Sequence, residues 1–319
     1  MVLRLLPLAL LLSLTGCGDI LVDNAHVPAV PPAKRRDLRA SEFATLQKID
    51  GVGDAHWLTI TRGDGADGIG GFLSLEPHHG GLVVLLAGAS TFDPLGRYAA
   101  TLDFYQDFGI HLRRAGFLVY APVLAECGTP YGGEDLAQTE AILDWLESEG
   151  QAFLGVQRVY VVGYSTGGTL VNLLNPRRRV TAMVSLCGLA DPVQFEALHG
   201  LYRWLVARFP NNAGFCQLAD TLTAYGPPGS VAWYKLDAVA QVWRFRNPTL
   251  FVHGAWDWVY FTANTRHVEA RYRELRRAGR RDLPPLKFIY IRWGDHFSAG
   301  YDRATRPKIV KYLRTFEPR

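Results

Sequence analysis

Three segments of this chain carry side chains that can cooperate in a nucleophilic attack. Gly163-Tyr164-Ser165-Thr166-Gly167 sets a serine in a G-x-S-x-G pattern; His253-Gly254-Ala255-Trp256-Asp257-Trp258-Val259 offers an acid; Gly294-Asp295-His296-Phe297 offers a base. A serine hydroxyl is a poor nucleophile near neutral pH, so a histidine must take its proton during attack and return it to the leaving group. A carboxylate behind that histidine fixes the imidazole tautomer and stabilises the transient imidazolium. G-x-S-x-G also arises by chance in a chain with 32 glycines, so the surrounding elements have to decide its meaning.

Those elements follow a strand-helix rhythm. The run Arg158 to Val162 before the motif is apolar and strand-like, and the residues after it form helix, which reads as a nucleophile elbow. A serine on such a turn stands above the sheet edge, and glycines on either side of it relieve the collision with neighbouring backbone. The helix that starts at Thr166 directs its N-terminus at the serine, so the Thr166 N–H is a candidate oxyanion donor. Upstream, Trp57 to Thr61 alternates as a strand and Gly70 to Leu75 reads as its partner, the Asp-Gly pairs between Gly63 and Gly68 being turn formers rather than calcium ligands. Gly81 to Ser90 is almost purely apolar, as in a parallel strand covered on both faces. Helical patterns over Tyr98 to Ala115 and Glu134 to Glu149 alternate with strands at Phe117 to Tyr120 and Val180 to Cys187. The sheet resumes at Pro248 to Gly254, closes with Leu286 to Ile291, and is followed by a helix over Tyr301 to Phe316. Between 189 and 246 the rhythm breaks: Phe195, Leu198, Tyr202, Leu205 and Phe209, then Leu236, Val239, Ala240 and Trp243, recur at helical spacing around Gly226-Pro227-Pro228-Gly229, as in a helical cap. The predicted fold class is α/β, a doubly wound and mostly parallel sheet with a helical cap insertion, and ligands of such sheets bind at the carboxyl ends of the strands.

Ser165, Asp257 and His296 follow one another in the order of an α/β-hydrolase triad, each at a strand end, and on these residues the chain resembles the α/β-hydrolase superfamily over roughly residues 55 to 316. The segments around Asp257 and His296 resemble the catalytic domains of dienelactone hydrolases and prolyl oligopeptidases. The resemblance implies a second oxyanion donor in the turn after the Leu82 to Leu86 strand, at the Ala89 N–H. The family often carries His-Gly or several glycines there, whereas this chain has Ala87-Gly88-Ala89-Ser90, so Ser90 is the alternative donor. Some members place the acid one strand earlier, which makes Asp191 the alternative to Asp257. Asp295 is read as a surface or loop-shaping residue, and His253 as a buried structural histidine. Trp256, Trp258 and Tyr260 flank the acid, in packing or in a pocket wall.

The first residues form a separate unit. Arg4 precedes an apolar run from Leu5 to Leu14, too short for a permanent membrane span, and then Leu14-Thr15-Gly16-Cys17. This resembles the lipobox of bacterial lipoproteins, which implies a signal peptide over 1–16, lipidation of Cys17 and a periplasm-facing anchor, with Gly18 favouring the outer membrane. An ordinary secretory signal with an incidental cysteine is the alternative. Residues 17–40, with Val27-Pro28, Pro31-Pro32 and Lys34-Arg35-Arg36, suit an extended tether, which leaves 41–319 for the hydrolase domain. With Cys17 lipidated, Cys127, Cys187 and Cys216 remain; a Cys187–Cys216 disulfide would tie cap to sheet, and Cys127 could replace either partner.

Apolar residues make up 48% of the chain and charged residues 20%, which excludes a disordered protein. The formal net charge of +4 is mild, and its basic clusters lack the interleaved aromatics of a nucleic-acid surface, so no nucleic-acid partner is expected. His78, His79, His199 and His267 have no ligand spacing, and no H-E-x-x-H or paired C-x-x-C occurs, so no metal or other cofactor is expected. The sequence therefore predicts a lipid-anchored serine hydrolase acting on carboxylic esters of small or polymeric substrates. The alternatives are a serine peptidase of the same fold and an inactive hydrolase fold used for binding. The stretch preceding the fold is too short for the propeller of prolyl oligopeptidases, which shifts the expectation towards esters.

Overall fold

The computed structural model describes residues 44–49, 52, 55–61, 68–75, 81–88, 94–124, 133–192, 204, 207–210 and 236–317. The expected signal peptide, the tether with Cys17, the turn between the first strands, most of the cap, Ala89, Ser90, Cys127 and Cys216 lie outside these residues.

One nine-stranded sheet organises the molecule, in the order β1-β2-β3-β5-β4-β6-β7-β8-β9. The strands are β1 (Ala44–Lys48), β2 (Ala55–Ile60), β3 (Ile69–Ser74), β4 (Gly81–Leu86), β5 (Leu118–Pro122), β6 (Arg158–Tyr164), β7 (Ala182–Leu186), β8 (Thr249–Gly254) and β9 (Leu286–Ile291). Pairing is antiparallel from β1 to β3 and between β3 and β5, and parallel from β5 through β9. Strand β1 was not anticipated from the sequence, where its short polar pattern gives no strand signal.

The central strands are apolar throughout because both of their faces are covered. Along β4, Leu82, Val84 and Leu86 point into one core with Val159 and Val161 of β6, while Val83 and Leu85 point into the other with Tyr160 and Val162. The first core is closed by α3 (Glu134–Trp145) and α5 (Thr166–Leu174), through Leu136, Ile142, Leu143, Leu170 and Val171. The second is closed by α1 (Pro94–Asp107), α2 (Gly109–Arg114) and α9 (Arg306–Arg314), through Leu102, Tyr105, Leu112, Ile309 and Leu313. Helices on both faces of a parallel sheet make the architecture doubly wound, as predicted.

Several boundaries differ from the sequence reading. The helix expected over Tyr98 to Ala115 is two helices, α1 and α2, joined at Phe108. The one expected to stop at Gly150 continues: a π-turn (Leu146–Gly150) leads into α4 (Gln151–Leu154), and the stop is Gly155, whose φ of 66° is the left-handed conformation of a helix end. The helix expected over Tyr301 to Phe316 starts later, as α9, after a separate short α8 (Ser298–Tyr301), with Asp302 extended between them. Helix α7 (Ala263–Arg277), after β8, and the short α6 (Ala238–Gln241) with a 3-10 turn (Val242–Arg244), before it, complete the described elements.

Strand order locates a cleft before any side chain is considered. From β4 the chain moves outward to β5, then crosses back to β6 on the other side of β4, so the winding direction reverses between β4 and β6. Ligands of open α/β sheets occupy the crevice outside the strand carboxyl ends at such a reversal. Ser165 follows β6, and Ala87-Gly88 follows β4.

Candidate active site

The serine is raised by its backbone. Ser165 has φ 54° and ψ −116°, a conformation L-residues adopt only when their surroundings enforce it. The Ser165 N–H donates to Leu186 O at 2.9 Å, and its carbonyl accepts from the Thr169 N–H at 3.0 Å, so the turn is held by β7 on one side and by α5 on the other. A Cβ on Gly163 would lie 2.1 Å from Gly167 O, and one on Gly167 would lie 2.2 Å from Leu86 O. Both contacts are with backbone, so both positions require glycine. Gly88 borders the serine directly, its side-chain position lying 3.0 Å from Ser165 Cβ.

The acid and base loops are built on each other. A Cβ on Gly254 would lie 2.1 Å from Asp295 O, so glycine at this strand end lets the two loops touch. Ala255 N–H donates to Ile291 O at 2.9 Å and Trp256 N–H donates to Gly294 O at 2.8 Å, which fixes Asp257 relative to His296. Asp295 accepts from the Ser298 N–H at 3.0 Å and from Ser298 Oγ at 2.8 Å, the loop-shaping role expected of it.

On this base the three side chains expected to work together meet. His296 Nε2 is 2.9 Å from Ser165 Oγ, and His296 Nδ1 is 2.8 Å from Asp257 Oδ2. All three are buried, Ser165 at 9% exposure, Asp257 at 4% and His296 at 3%. The Tyr164 and Tyr260 rings border the imidazole at 5.6 and 5.4 Å between centroids, Tyr260 edge-on. Asp257 Oδ1 accepts the Val259 and Tyr260 N–H groups, each at 2.9 Å. Burial alone would raise the Asp257 carboxyl, but the His296 charge and hydrogen bonds from His253 and His296 outweigh it and hold the group well below the usual carboxylate range.

The alternative acid is placed elsewhere. Asp191 Oδ2 lies 2.5 Å from His267 Nδ1 on α7, and its N–H donates to Asn264 Oδ1 at 2.8 Å. Of the expected oxyanion donors, Thr166 opens α5 directly after the serine, whereas Ala89 and the alternative Ser90 lie outside the described residues. Of the residues flanking the acid, Tyr260 is buried against His296, Trp258 packs on the core, and Trp256 is 63% exposed, near-parallel to Trp293 at 6.3 Å.

Two residues were read incompletely from the sequence. The Cys187–Cys216 tie is corrected: Cys187 is a free, buried thiol. Its φ of 50° turns it beside Asp257, and burial together with the Asp257 charge pushes the thiol well above its ordinary range. His253 is buried as expected, but it also touches the acid, its Nε2 lying 3.0 Å from Asp257 Oδ2. The signal for this was available: at i, i+4 across a glycine turn, two side chains can return to one another.

Cys187, Asp257 and His296 are the described grouping whose ligand-type atoms lie within 4.8 Å of one another. Asp257 and His296 hydrogen-bond to one another within this grouping, and burial with the Asp257 charge pushes the Cys187 thiol up. Among the described residues no helix is long and apolar enough to cross a membrane.

This fold has many structural counterparts. An esterase of Pyrococcus furiosus superposes with a TM-score of 0.60 at 13% identity, covering 88% of this chain and 100% of that one. A truncated carbohydrate esterase from gut microbiota gives 0.59 at 12% identity, covering 87% and 99%. An acylaminoacyl peptidase of Pyrococcus horikoshii gives 0.52 at 14% identity, covering 88% of this chain but 42% of that one. The chain therefore has the α/β-hydrolase fold. No protein-family model matches it, and no curated protein matches it in sequence.

Proposed function

We propose that this protein is a serine hydrolase that cleaves carboxylic esters through an acyl-enzyme on Ser165. The observation that carries the reading is the continuous hydrogen-bonded line from Ser165 Oγ through the His296 ring to Asp257 Oδ2, with links of 2.9 and 2.8 Å. His296 Nε2 takes the Oγ proton as the oxygen attacks the ester carbonyl carbon, and the carbonyl oxygen becomes an oxyanion. The Thr166 N–H at the start of α5 and a backbone N–H at Ala89 would receive that charge. Collapse expels the alcohol, which takes the proton from His296. Water then attacks the acyl group by the same route, releasing the acid and restoring Ser165. Asp257, kept ionised, stabilises the imidazolium in both halves.

The esterase neighbours support an ester substrate, and the peptidase neighbour keeps amides in play, so rates on matched ester and amide substrates decide between them. Wild-type protein should cleave p-nitrophenyl acyl esters and take up a fluorophosphonate, and Ser165→Ala should do neither. Unchanged hydrolysis by Ser165→Ala would end the proposal. The chain-length preference among the esters gives the acyl class. We also propose that Cys17 carries the lipid anchor that holds the enzyme in the bacterial cell envelope, facing the periplasm; Cys17→Ser should then move the protein from the membrane fraction to the soluble one.

A further inference from the structure

His253 stands at the end of β8, fully buried, and the reading of Ser165, Asp257 and His296 gives it no task. Its contacts define its protonation. Nε2 lies 2.5 Å from the Tyr260 carbonyl oxygen and 3.0 Å from Asp257 Oδ2, while Nδ1 lies 2.8 Å from Thr265 Oγ1 on α7. A carbonyl and a carboxylate only accept, so the proton on that side belongs to Nε2, which donates it to the Tyr260 carbonyl with the Asp257 carboxylate alongside. The hydroxyl opposite Nδ1 can donate, so a neutral ring satisfies all three contacts.

Asp257 Oδ2 thus accepts from His296 Nδ1 at 2.8 Å and has the His253 Nε2–H beside it at 3.0 Å, a proton whose hydrogen bond goes to the Tyr260 carbonyl. We propose that His253 is a positioning residue of the proposed hydrolase, whose Nε2–H holds Asp257 Oδ2 against His296 and limits the negative charge that this oxygen presents to the His296 ring. The line then runs from Thr265 through His253, Asp257 and His296 to Ser165, all of them buried. The other titratable groups facing it are Cys187 from the end of β7, Asp295 from the loop after β9, Tyr164 from the end of β6 and Tyr260 from the loop after β8. Asp295 is occupied by Ser298. Cys187 lies beside Asp257 as a thiol that burial and the Asp257 charge keep protonated.

Removing the His253 donor should leave Asp257 a stronger partner for the imidazolium, which then persists to higher pH. The experiment is the pH dependence of fluorophosphonate labelling of Ser165 in full-length protein, comparing wild type, His253→Phe and His253→Gln. Phenylalanine keeps the flat ring and removes the donor, whereas the glutamine amide keeps a donor near the Nε2 position. The acid limb should move up by about half a pH unit or more in His253→Phe and return to the wild-type position in His253→Gln. A limb that stays in place in His253→Phe, or moves equally in both variants, overturns the proposal and leaves the reading of Ser165 standing. Wild-type protein that is not labelled at any pH overturns that reading instead, and this proposal with it. If His253→Phe fails to fold, nitrogen NMR of histidine-labelled wild type decides the matter, with the His253 signals assigned by their loss in His253→Gln. Protonated Nε2 beside unprotonated Nδ1 is required, and the opposite tautomer overturns the proposal.

Discussion

Replacing Asp257 with asparagine should disable the site through the histidine tautomer rather than through lost charge alone. Oδ1 of Asp257 accepts two backbone N–H groups, from Val259 and Tyr260, each at 2.9 Å. An amide in this place must therefore present its oxygen to them, which puts its NH₂ where Oδ2 stands, 2.8 Å from His296 Nδ1. The NH₂ donates, so Nδ1 becomes an acceptor and the ring proton moves to Nε2. That nitrogen faces Ser165 Oγ at 2.9 Å and can no longer take its proton. The expected loss in kcat is about 10⁴-fold, or about 5.4 kcal/mol of barrier at 1.36 kcal/mol per decade. Steady-state kinetics on p-nitrophenyl acetate, with a thermal melt to confirm that Asp257→Asn is folded, make the measurement. A folded variant losing less than about tenfold would refute the tautomer argument.

Three further outcomes follow from the same geometry. Gly167→Ala drives a Cβ to within 2.2 Å of Leu86 O, and because backbone must yield, a destabilisation of about 3 kcal/mol is expected, seen as a lower Tm together with loss of phosphonate labelling. Cys187, buried and held as a thiol, should resist iodoacetamide in the native protein and react once it is denatured, as read by peptide mass spectrometry; native alkylation would contradict its placement. The depressed Asp257 carboxyl means that the unfolded chain binds a proton there before the folded one does. Its stabilising contribution is complete above the usual carboxylate range and is lost as pH falls through the depressed folded value. The stability gap between wild type and Asp257→Asn should accordingly narrow as pH drops from 6 to 3 in urea titrations.

That Ser165, Asp257 and His296 come together was legible in the sequence because the proposed chemistry demands particular residues at strand ends. Ser165, Asp257 and His296 each follow a strand in β6, β8 and β9, and unbroken apolar runs such as Leu82 to Leu86 mark strands buried on both faces. Element boundaries were less accessible. Gly150 resembles a helix stop, yet its Cβ position lies 2.6 Å from the Trp145 ring, so it is there to admit the indole while the helix continues as a π-turn. Helix α7 escaped notice because its exposed face is crowded with arginine and glutamate and only Asn264, Thr265 and Val268 are buried.

Those three residues show why the surroundings of the site were harder to read than the site itself. Asn264 reaches the Asp191 N–H beyond β7, and Thr265 reaches His253 at the end of β8, so one turn of α7 braces the strand end next to the acid. Neither residue belongs to a motif. Each acts on a partner distant in sequence or across a loop, and only the register of β7 against β8 brings those partners under the helix. The proposed nucleophile, acid and base are dictated by the chemistry proposed for them, whereas the groups that orient them are dictated by where the fold leaves a donor or acceptor to be satisfied. His253 shows both sides of this: its type is visible in the sequence, but its partner oxygen on Asp257 is set by the turn at Gly254, which the adjoining Asp295 backbone leaves room for only as glycine.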